Sequence, residues 1–551
     1  MKYIRLKKAG INMKIQFWKA FITIILIFSP FVNCLNAKRS PFDFNSPSGF
    51  FGAGFLVLNL NLSSSNLNIV STNPAADATG VSITNSFSIV FNSAIKAESL
   101  TTTSILLADT TTNTNLPLTY SATDATVTVS HNPLVPGRKY QLTIKSGDSG
   151  VAATTGKKLS SDYSISFTSA TNVNYSGPNG MNFNSSVNAK GAFLIVRNSK
   201  LYAFWSEIDP TSYQLKGREI DFISNSQAVI NNTGGANHEH YIFPINYNSN
   251  LYLYYNFASN QGKLTKFNSN LNWTANTNLP TCAANSPGPE FRVIGQDANL
   301  FLIQDESGCY TNRVVRVYQS TDSGTSWSSI VGSNNYDRIN GSDVSAHNYP
   351  DIIYYNSNLY ATFVGGCDSA CSVKFTRYTG SSAWSAATTI SDTTSNVSSI
   401  PPYFSRMFIF NNKLYIVYTE VISSVFRLRV KVFNGSISSP AWTAVDNSTG
   451  INFDLTKKAT RPFPYVFNSN LYIIWSEENS TLNTVIRMKV YNGNDSSPSW
   501  SSLDGGGEGG FNIYSTRAAF DPNLIEFNGK LYGTWTEANA TSNVFLVQLP
   551  L

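Results

Sequence analysis

Charge is scarce in this chain. Asp, Glu, Lys and Arg make up 13% of 551 residues, and no Lys/Arg-rich run follows residue 40. The net charge of +6 owes much to Lys2, Arg5, Lys7, Lys8, Lys14 and Lys19 at the very start, so it implies no nucleic-acid partner. Histidines number four and cysteines five. His238-Glu-His240 can set two imidazoles on one side of a strand, but no third ligand is near, His347 stands far off, and the cysteine spacing is not that of a zinc ribbon, so no metal is expected. There is no Ser-His-Asp set and no nucleotide fingerprint. The Gly505-Gly-Gly-Glu-Gly-Gly510 run is followed by no Lys-Ser/Thr and reads as a flexible link, which leaves no cofactor implied. One apolar run, Ala20 to Phe31, stands out, and it is short for a bilayer span.

Ser, Thr, Asn and aromatics abound instead, and they fall into a repeat. Phe467-Asn-Ser-Asn-Leu471-Tyr472-Ile-Ile-Trp475-Ser-Glu477 returns seven times, its Leu-Tyr or Leu-Phe pair beginning at Leu201, Leu251, Leu300, Leu359, Leu414, Leu471 and Leu531. The spacings are 50, 49, 59, 55, 57 and 60 residues. A period near fifty built of short strands points to a β-propeller, not a helical solenoid. Each unit reads as four strands, in the sixth 463–468, Leu471 to Glu477, Val485 to Tyr491 and one around Trp500. Ser469-Asn470 is taken as the hairpin turn, with Asn528-Gly529 in the same place in the last unit; Asn-Gly suits a type I′ turn because both central residues need positive φ. The second strand is apolar along its length, as a strand buried on both faces is.

The last unit reaches Leu551 with three strands, 522–528, 531–537 and 543–550. Phe183 of Gly180-Met-Asn-Phe183 lies 18 residues before Leu201, and Phe453 of Gly450-Ile-Asn-Phe453 lies 18 before Leu471. Residues 171–190 thus look like the tail of a repeat whose front half is at the C-terminus. A strand within 172–183 is expected to pair with the last blade and leave no open edge. The fold expected is all-β: an Ig-like β-sandwich over 69–170, then a seven-bladed β-propeller over 171–551.

Residues 1–34 read as a targeting segment, starting at Met1 or Met13, with basic residues ahead of the apolar run. The run ends at Phe31-Val-Asn-Cys34. A cysteine so placed resembles the lipobox of bacterial lipoproteins, in the relaxed form of spirochaetes, and Ser40-Pro-Phe-Asp-Phe-Asn-Ser-Pro-Ser-Gly49-Phe resembles the mature start of leptospiral lipoproteins. The resemblance implies a lipid on Cys34 that anchors the exported chain to the outer membrane or cell surface without spanning it. A plain secretory signal cleaved near Ala37 is the other reading. Residues 35–68 read as a flexible tether with one apolar patch, Phe50 to Leu60. Beyond Cys34 stand Cys282, Cys309, Cys367 and Cys371, an even number that in an exported chain suggests two disulfides. In a propeller all four fall on the rim shared by second-to-third loops and inter-blade links, where Cys282–Cys309 and Cys367–Cys371 are nearest partners. Four reduced, buried thiols are the alternative.

Strands of the sandwich are read from alternation in Ile69-Val-Ser-Thr-Asn-Pro74, Gly80-Val-Ser-Ile, Phe87-Ser-Ile-Val-Phe91, Val127-Thr-Val-Ser, Tyr140-Gln-Leu-Thr-Ile144 and Tyr163-Ser-Ile-Ser-Phe167. His131 is placed in a turn. Asn73-Pro74, Gly80-Val81, Phe91, Leu134-Val-Pro-Gly137-Arg-Lys-Tyr140 and Ser166-Phe-Thr168 resemble the bacterial Ig-like domain of the S-layer-protein (SbsA-like) type. That resemblance implies a spacer or interaction module, not an enzyme.

Ser320-Thr-Asp322-Ser-Gly324-Thr-Ser-Trp327 fits S-x-D-x-G-x-x-W and so resembles the Asp-box of sialidase-like propellers. Phe433-Asn-Gly435 to Trp442 and Tyr491-Asn-Gly493 to Trp500 look like degenerate copies. The Asp can accept turn N–H bonds, the Gly supplies positive φ and the Trp packs beneath, so the motif marks the fold, on the rim opposite the active face of that family. Sialidase chemistry would also need an arginine triad, a Tyr–Glu nucleophile pair, an acid Asp and an Arg-Ile-Pro motif in the first blade. Arg292-Val-Ile294 is the nearest trace of the last, in the third blade and without the Pro. Arg406, Arg461 and Arg517 are read as preceding the first strands of blades five, six and seven, on the upper rim. Glu207, Glu306, Glu420, Glu477 and Glu537 stand six places after their repeat leucines. They form either a ring of carboxylates for a cation or sugar hydroxyls, or a repeated bond to a neighbouring blade or Arg; a residue repeated this way usually serves the repeat. Trp205, Trp475 and Trp535 on second strands, and Trp273, Trp327, Trp384, Trp442 and Trp500 on fourth strands, argue packing between blades, with sugar stacking as the other reading. The function expected is a surface-anchored lipoprotein that binds a glycan or extracellular protein through the upper rim. The alternatives are a sialidase-type glycoside hydrolase and a structural envelope protein without ligand.

Overall fold

Alternating burial builds the first region. The computed structural model describes residues 66–208, 213–220, 229–231, 242–257, 261–267, 277–280, 287–306, 314–331, 339, 348–365, 371–392 and 404–551. Cys34, Cys282, Cys309, Cys367, Trp273, His238, His240 and His347 lie outside them. Eight strands come first: β1 (Ile69–Asn73), β2 (Phe87–Phe91), β3 (Ile105–Asp109), β4 (Thr114–Asn115), β5 (Leu118–Thr123), β6 (Thr126–His131), β7 (Lys139–Ile144) and β8 (Tyr163–Thr168). They form two four-stranded sheets, β1-β2-β6-β5 and β4-β3-β7-β8. Phe87, Ile89 and Phe91 of β2 and Tyr140, Leu142 and Ile144 of β7 are buried at every second place, as strands with one inward face require.

Three expectations are corrected here. Gly80-Val-Ser-Ile forms no strand; Val81 makes an isolated parallel bridge to Ser169. Strands β3, β4 and β5 were not anticipated, and β5 has no fully buried residue, so it leaves little hydrophobic pattern to read. His131 is not in a turn. It ends β6, its ring 4.4 Å from that of Phe87, with Nδ1 2.7 Å from the Asn132 carbonyl oxygen and Nε2 3.0 Å from that of Asn85.

Seven antiparallel meanders follow, here sheets 1 to 7. Their first strands are Ala189–Arg197, Ile242–Tyr247, Pro287–Gln296, Asn348–Tyr355, Ser405–Phe410, Ala459–Phe467 and Ala518–Phe527. Each first strand lies against the next, and that of sheet 7 returns to that of sheet 1. Second strands are buried on both faces: Leu471 through Glu477 are seven consecutive buried residues, and Leu201 through Glu207 and Leu531 through Glu537 repeat this. Apolar clusters fill the space between successive sheets, including one that joins sheet 7 to sheet 1 through Val544, Leu546, Tyr532, Leu194 and Trp205. The sixth hairpin turn is Asn468-Ser469, not Ser469-Asn470, because Phe467 pairs with Asn470. Asn468 and Ser469 take φ of 47° and 60°, as Asn528 and Gly529 take 52° and 71°, so an asparagine leads the turn in both and both central residues lie in the left-handed region that a type I′ turn requires. No helix among the described residues is long and apolar enough to cross a membrane.

Sheet 7 takes its fourth strand from the other end of this region. Strand β9 (Val173–Asn174) pairs antiparallel with Val547 and Gln548. Tyr175 N donates to Leu546 O at 3.0 Å and Met181 N to Val544 O at 2.7 Å. Asn182 then accepts from Val544 N at 3.0 Å and donates to the carbonyls of Ser542 and Val187, each at 3.0 Å. The sandwich does not stand apart from these sheets. Its core is continuous with that between sheets 6 and 7, Ile83 N donates to Pro550 O at 3.3 Å, and residues Leu67–Leu551 are one compact unit.

Replacing Asn182 by Ala leaves one amide N–H and two carbonyls without their partner. Denaturant unfolding of the variant should show a loss of about 1–3 kcal/mol, and amide exchange at Val544 should speed up more than at Leu428, whose N–H is held in the same way by Asn452.

Candidate functional site

The five repeated glutamates are buried, not set around an open mouth. Glu477 accepts the Trp475 indole N–H at 2.7 Å and the backbone N–H of Phe453 and Asp454 at 2.9 and 2.8 Å. Glu207 holds Trp205, Phe183 and Asn184 in the same way, and Glu537 holds Trp535, Ile513 and Tyr514. Just before each pair of donors stands an asparagine that bonds the third strand of the preceding sheet: Asn452 accepts from Leu428 N, Asn512 from Ile486 N and Asn182 from Val544 N. The glycine before these turns, at 180, 450 and 510, has φ of 73°, 102° and 55°. A Cβ there would meet the carbonyl oxygens of Val544, Leu428 and Ile486 at 2.6, 3.1 and 2.3 Å, so only glycine serves. Each of these three inter-sheet links is thus pinned to one sheet by Asn and to the next by Glu. Burial pushes the Glu477 and Glu537 carboxyls up, while the donated hydrogen bonds pull the other way.

Where the tryptophan is missing the carboxylate finds another donor. Glu306 accepts from Gln304 Nε2 at 2.6 Å and Tyr318 OH at 2.7 Å. Glu420 accepts from Arg429 Nη1 at 2.5 Å, and the same guanidinium, nearly fully buried, also bonds Asp446 at 2.6 Å and Asp392 at 3.1 Å.

Inside the ring of first strands a different layer forms. One residue per sheet stands opposite the third place after the repeat leucine: Phe193, Phe243, Arg292, Asp351, Arg406, Phe463 and Asn523. Phe193 lies 4.9 Å from Phe243 and 6.3 Å from Phe463 of sheet 6. The Arg406 guanidinium lies 5.7 Å over Phe243, reaching from sheet 5 to sheet 2. Arg292 pairs with Asp351 at 3.0 Å, and Asp351 also accepts from Met407 N. Two of these contacts, Phe193 with Phe463 and Arg406 with Phe243, join non-adjacent sheets and so cross the middle of the ring.

Towards the ends where the links enter, the first strand of sheet 3 shifts register between Pro287 and Phe291, and four others bulge at one shared place. Gly191, Tyr349, Arg461 and Asp521 each stand ten residues before their repeat leucines and take φ of 65°, 53°, 56° and 54°. Positive φ in Tyr and Arg is uncommon and costs on the order of 1–3 kcal/mol each. Arg461 is ion-paired with Asp521, and its guanidinium lies 5.7 Å over Phe404 and 5.8 Å over Phe520. Tyr349 adds a ring 4.7 Å from Phe404. Sheets 4 to 7 thus converge on an aromatic mouth with one clamped guanidinium. Among the described side chains, the carboxylates of this region, Asp351 and Asp521, are committed to arginines.

Of the three arginines expected together, Arg406 lies in the inner layer over Phe243 and Arg461 at the mouth. Arg406 and Arg461 lie within first strands, not before them. Arg517 does precede its strand, and it belongs to the Glu537 latch, stacked 4.0 Å over Tyr514 and 3.5 Å from Asn543. The aromatic partners went unread, although X-Pro at 349–350, 461–462 and 521–522 was a visible signal of a bulge. Cys371 is disulfide-bonded. Tryptophans of fourth strands reach the preceding sheet, Trp384 Nε1 donating to Ile330 O at 3.0 Å and Trp500 Nε1 to Val445 O at 2.8 Å. The Asp-box lies between the third and fourth strands of sheet 3. Asp322 accepts from Ser320 Oγ, Ser326 N and Ser326 Oγ at 2.8, 2.8 and 2.6 Å, and Gly324 takes φ of 85°.

Residues 63–169 match the family described as a bacterial Ig-like domain. No curated protein matches the chain. Solved structures similar to it include a thermostable family-43 glycoside hydrolase, at 14% identity over 46% of this chain and 86% of that one, with a TM-score of 0.28. An endo-arabinase from Bacteroides thetaiotaomicron follows at 13% over 47% and 92%, TM-score 0.27. Trypanosoma rangeli sialidase in complex with the inhibitor DANA stands at 9% over 66% and 55%, TM-score 0.37. Likenesses this distant carry no chemistry across.

Glu477→Gln and Glu537→Gln each put an amide N–H where a backbone or indole N–H must donate. Each should cost about 1–3 kcal/mol of stability, read by denaturant unfolding. At Asp322, hydrogen bonds led by Ser326 hold the carboxyl down from 3.8 to about 2. The stability it contributes is complete above its ordinary range and lost as pH falls through about 2. Asp322→Asn should therefore lower Tm at neutral pH and narrow the gap to the parent protein at pH 2.

Proposed function

We propose that sheets 1 to 7 are the blades of a seven-bladed β-propeller, with β9 as the outermost strand of the last, and that this domain is the binding head of an exported protein anchored by a lipid on Cys34. Domain limits of 35–68 for a tether, 69–170 for the sandwich and 171–551 for the propeller go with this reading, as does a Cys367–Cys371 disulfide. The cyclic contact of first strands supports the propeller, and the match of residues 63–169 to a bacterial Ig-like domain supports a non-enzymatic partner region.

The ligand is met at the aromatic mouth on the rim where the links enter. The observation that carries this is the strained Arg461, held by Asp521 between Phe404 and Phe520. Strain of this kind persists where the surroundings enforce it and gathers at ligand sites, and ring faces beside a guanidinium suit the C–H face of a sugar or an aromatic side chain. A glycan is the favoured ligand and an extracellular protein the second. Glycoside hydrolysis needs one carboxyl as acid and another as base or nucleophile, and the two carboxylates described here, Asp351 and Asp521, are engaged by arginines.

A glycan array probed with the full chain should give signals that fall at least tenfold with Arg461→Ala and with Phe404→Ala. A blank array with capture of a purified extracellular-matrix protein, lost in the same variants, selects the protein ligand. Turnover of a fluorogenic sialoside that is lost in Arg461→Ala would instead establish the hydrolase. Palmitate labelling lost in Cys34→Ala is expected for the anchor, and label retained by that variant refutes it.

A further inference from the structure

At the other ends of the strands, away from the bulges, an open cleft of ≈ 440 Å³ spans sheets 4, 5 and 6, with Tyr355, Lys413, Phe433, Gly435, Asp495 and Ser496 in its walls. That volume is within the roughly 300–1,000 Å³ of small-molecule sites. Asp495 is its polar centre. One carboxylate oxygen accepts Tyr415 OH at 2.8 Å and Tyr491 OH at 2.9 Å, and the other accepts Lys413 Nζ at 2.6 Å. Burial pushes the Asp495 carboxyl up, but these three donors outweigh it and hold it below the ordinary carboxylate range. Burial and the same carboxylate push both phenols up, so they remain donors. The second oxygen therefore accepts one bond where it can take two, and the Lys413 ammonium, 54% exposed, carries two further protons.

Comparison along the repeat shows that the fold does not demand this group. Five places before the fourth-strand tryptophan stand Asp322, Ile437 and Asp495. Asp322 turns back on its own hairpin. Ile437, half exposed, meets Tyr360 and Phe433 in a small cleft between sheets 4 and 5. Asn358 takes the place of Lys413 in sheet 4, and Phe433 that of Tyr491 in sheet 5. The junction of sheets 4 and 5 thus has Ile437 and Phe433 in a cleft that holds no carboxylate, and a Lys–Asp–Tyr–Tyr set stands at that of sheets 5 and 6.

We propose that this cleft is a second ligand site, for a neutral saccharide read through two adjacent hydroxyls, one donating to Asp495 and its neighbour accepting from Lys413. Phe433 and Tyr355 supply the apolar wall for the sugar's C–H face. An uncharged diol satisfies both halves of the ion pair at once, whereas an anionic sugar would bring its charge against Asp495. The site is independent of the aromatic mouth, which lies at the opposite ends of the same strands.

Saturation-transfer NMR and calorimetry on the full chain, with methyl α-mannopyranoside and methyl β-galactopyranoside at millimolar concentration, test this. Both sugars carry vicinal hydroxyls. At least one should bind, with affinity reduced tenfold or more, about 1.4 kcal/mol, by Asp495→Ile and by Lys413→Met. Asp495→Ile copies the arrangement sheet 5 already uses; if it fails to fold, Lys413→Met, at an exposed side chain, decides alone. No binding of either sugar, or binding that survives Lys413→Met, overturns the proposal. Binding lost in Phe404→Ala but kept in Lys413→Met assigns the sugar to the mouth and likewise overturns it.

Discussion

Everything rests on one arrangement: a buried carboxylate with three N–H donors converging on it. An ionised glutamate taken out of water is costly unless each oxygen is well supplied. At Glu207, Glu477 and Glu537 two backbone amides and one indole meet that demand. Because the amides belong to the incoming link and the indole to the strand itself, satisfying the carboxylate also fixes the path from one sheet to the next. The asparagine beside it fastens the same link to the sheet behind. Angular placement of neighbouring sheets is thus set by polar groups, while the apolar clusters between them supply the bulk of the cohesion.

The latch also explains why the two ends of the sheet region meet. Segment 180–184 carries the Gly-x-Asn pattern of an ordinary link, so it docks on sheet 7 and on Glu207 as 450–454 docks on sheet 5 and Glu477. The pairing of β9 with the last strand comes with it. The Gly-x-Asn pattern acts there together with Tyr175, Met181 and Phe183, which pack with residues of sheets 7 and 1.

Much of this was legible in residue order. The leucine spacing located every second strand, and the shared Gly-x-Asn-Phe located the segment that completes sheet 7. The hairpin frame slipped by one place because Asn468, Ser469 and Asn470 are all turn formers, and only cross-strand pairing decides between them. Placing Arg406, Arg461 and Arg517 all ahead of first strands groups them together, but Arg517 alone lies ahead of its strand, and its guanidinium stacks on Tyr514. The aromatic mouth was hidden because Tyr349, Phe404 and Phe520 come from different sheets and share no local pattern. The clearest pointers to it are breaks in regularity: a tyrosine and an arginine in the left-handed region, each ahead of a proline. At the opposite ends, the pointer is again a departure, an aspartate where the neighbouring sheet has isoleucine.

The late pairing of β9 has a consequence for biosynthesis. Some 375 residues separate Val173 from its partner Gln548, which at ordinary translation speeds is an interval of roughly 20–75 s. Throughout that time the nascent chain holds a strand with nowhere to go, and any product cut short by proteolysis or a stop codon near the C-terminus keeps it permanently exposed. Such fragments would advertise themselves to chaperones and proteases, making the final strand a checkpoint for completeness.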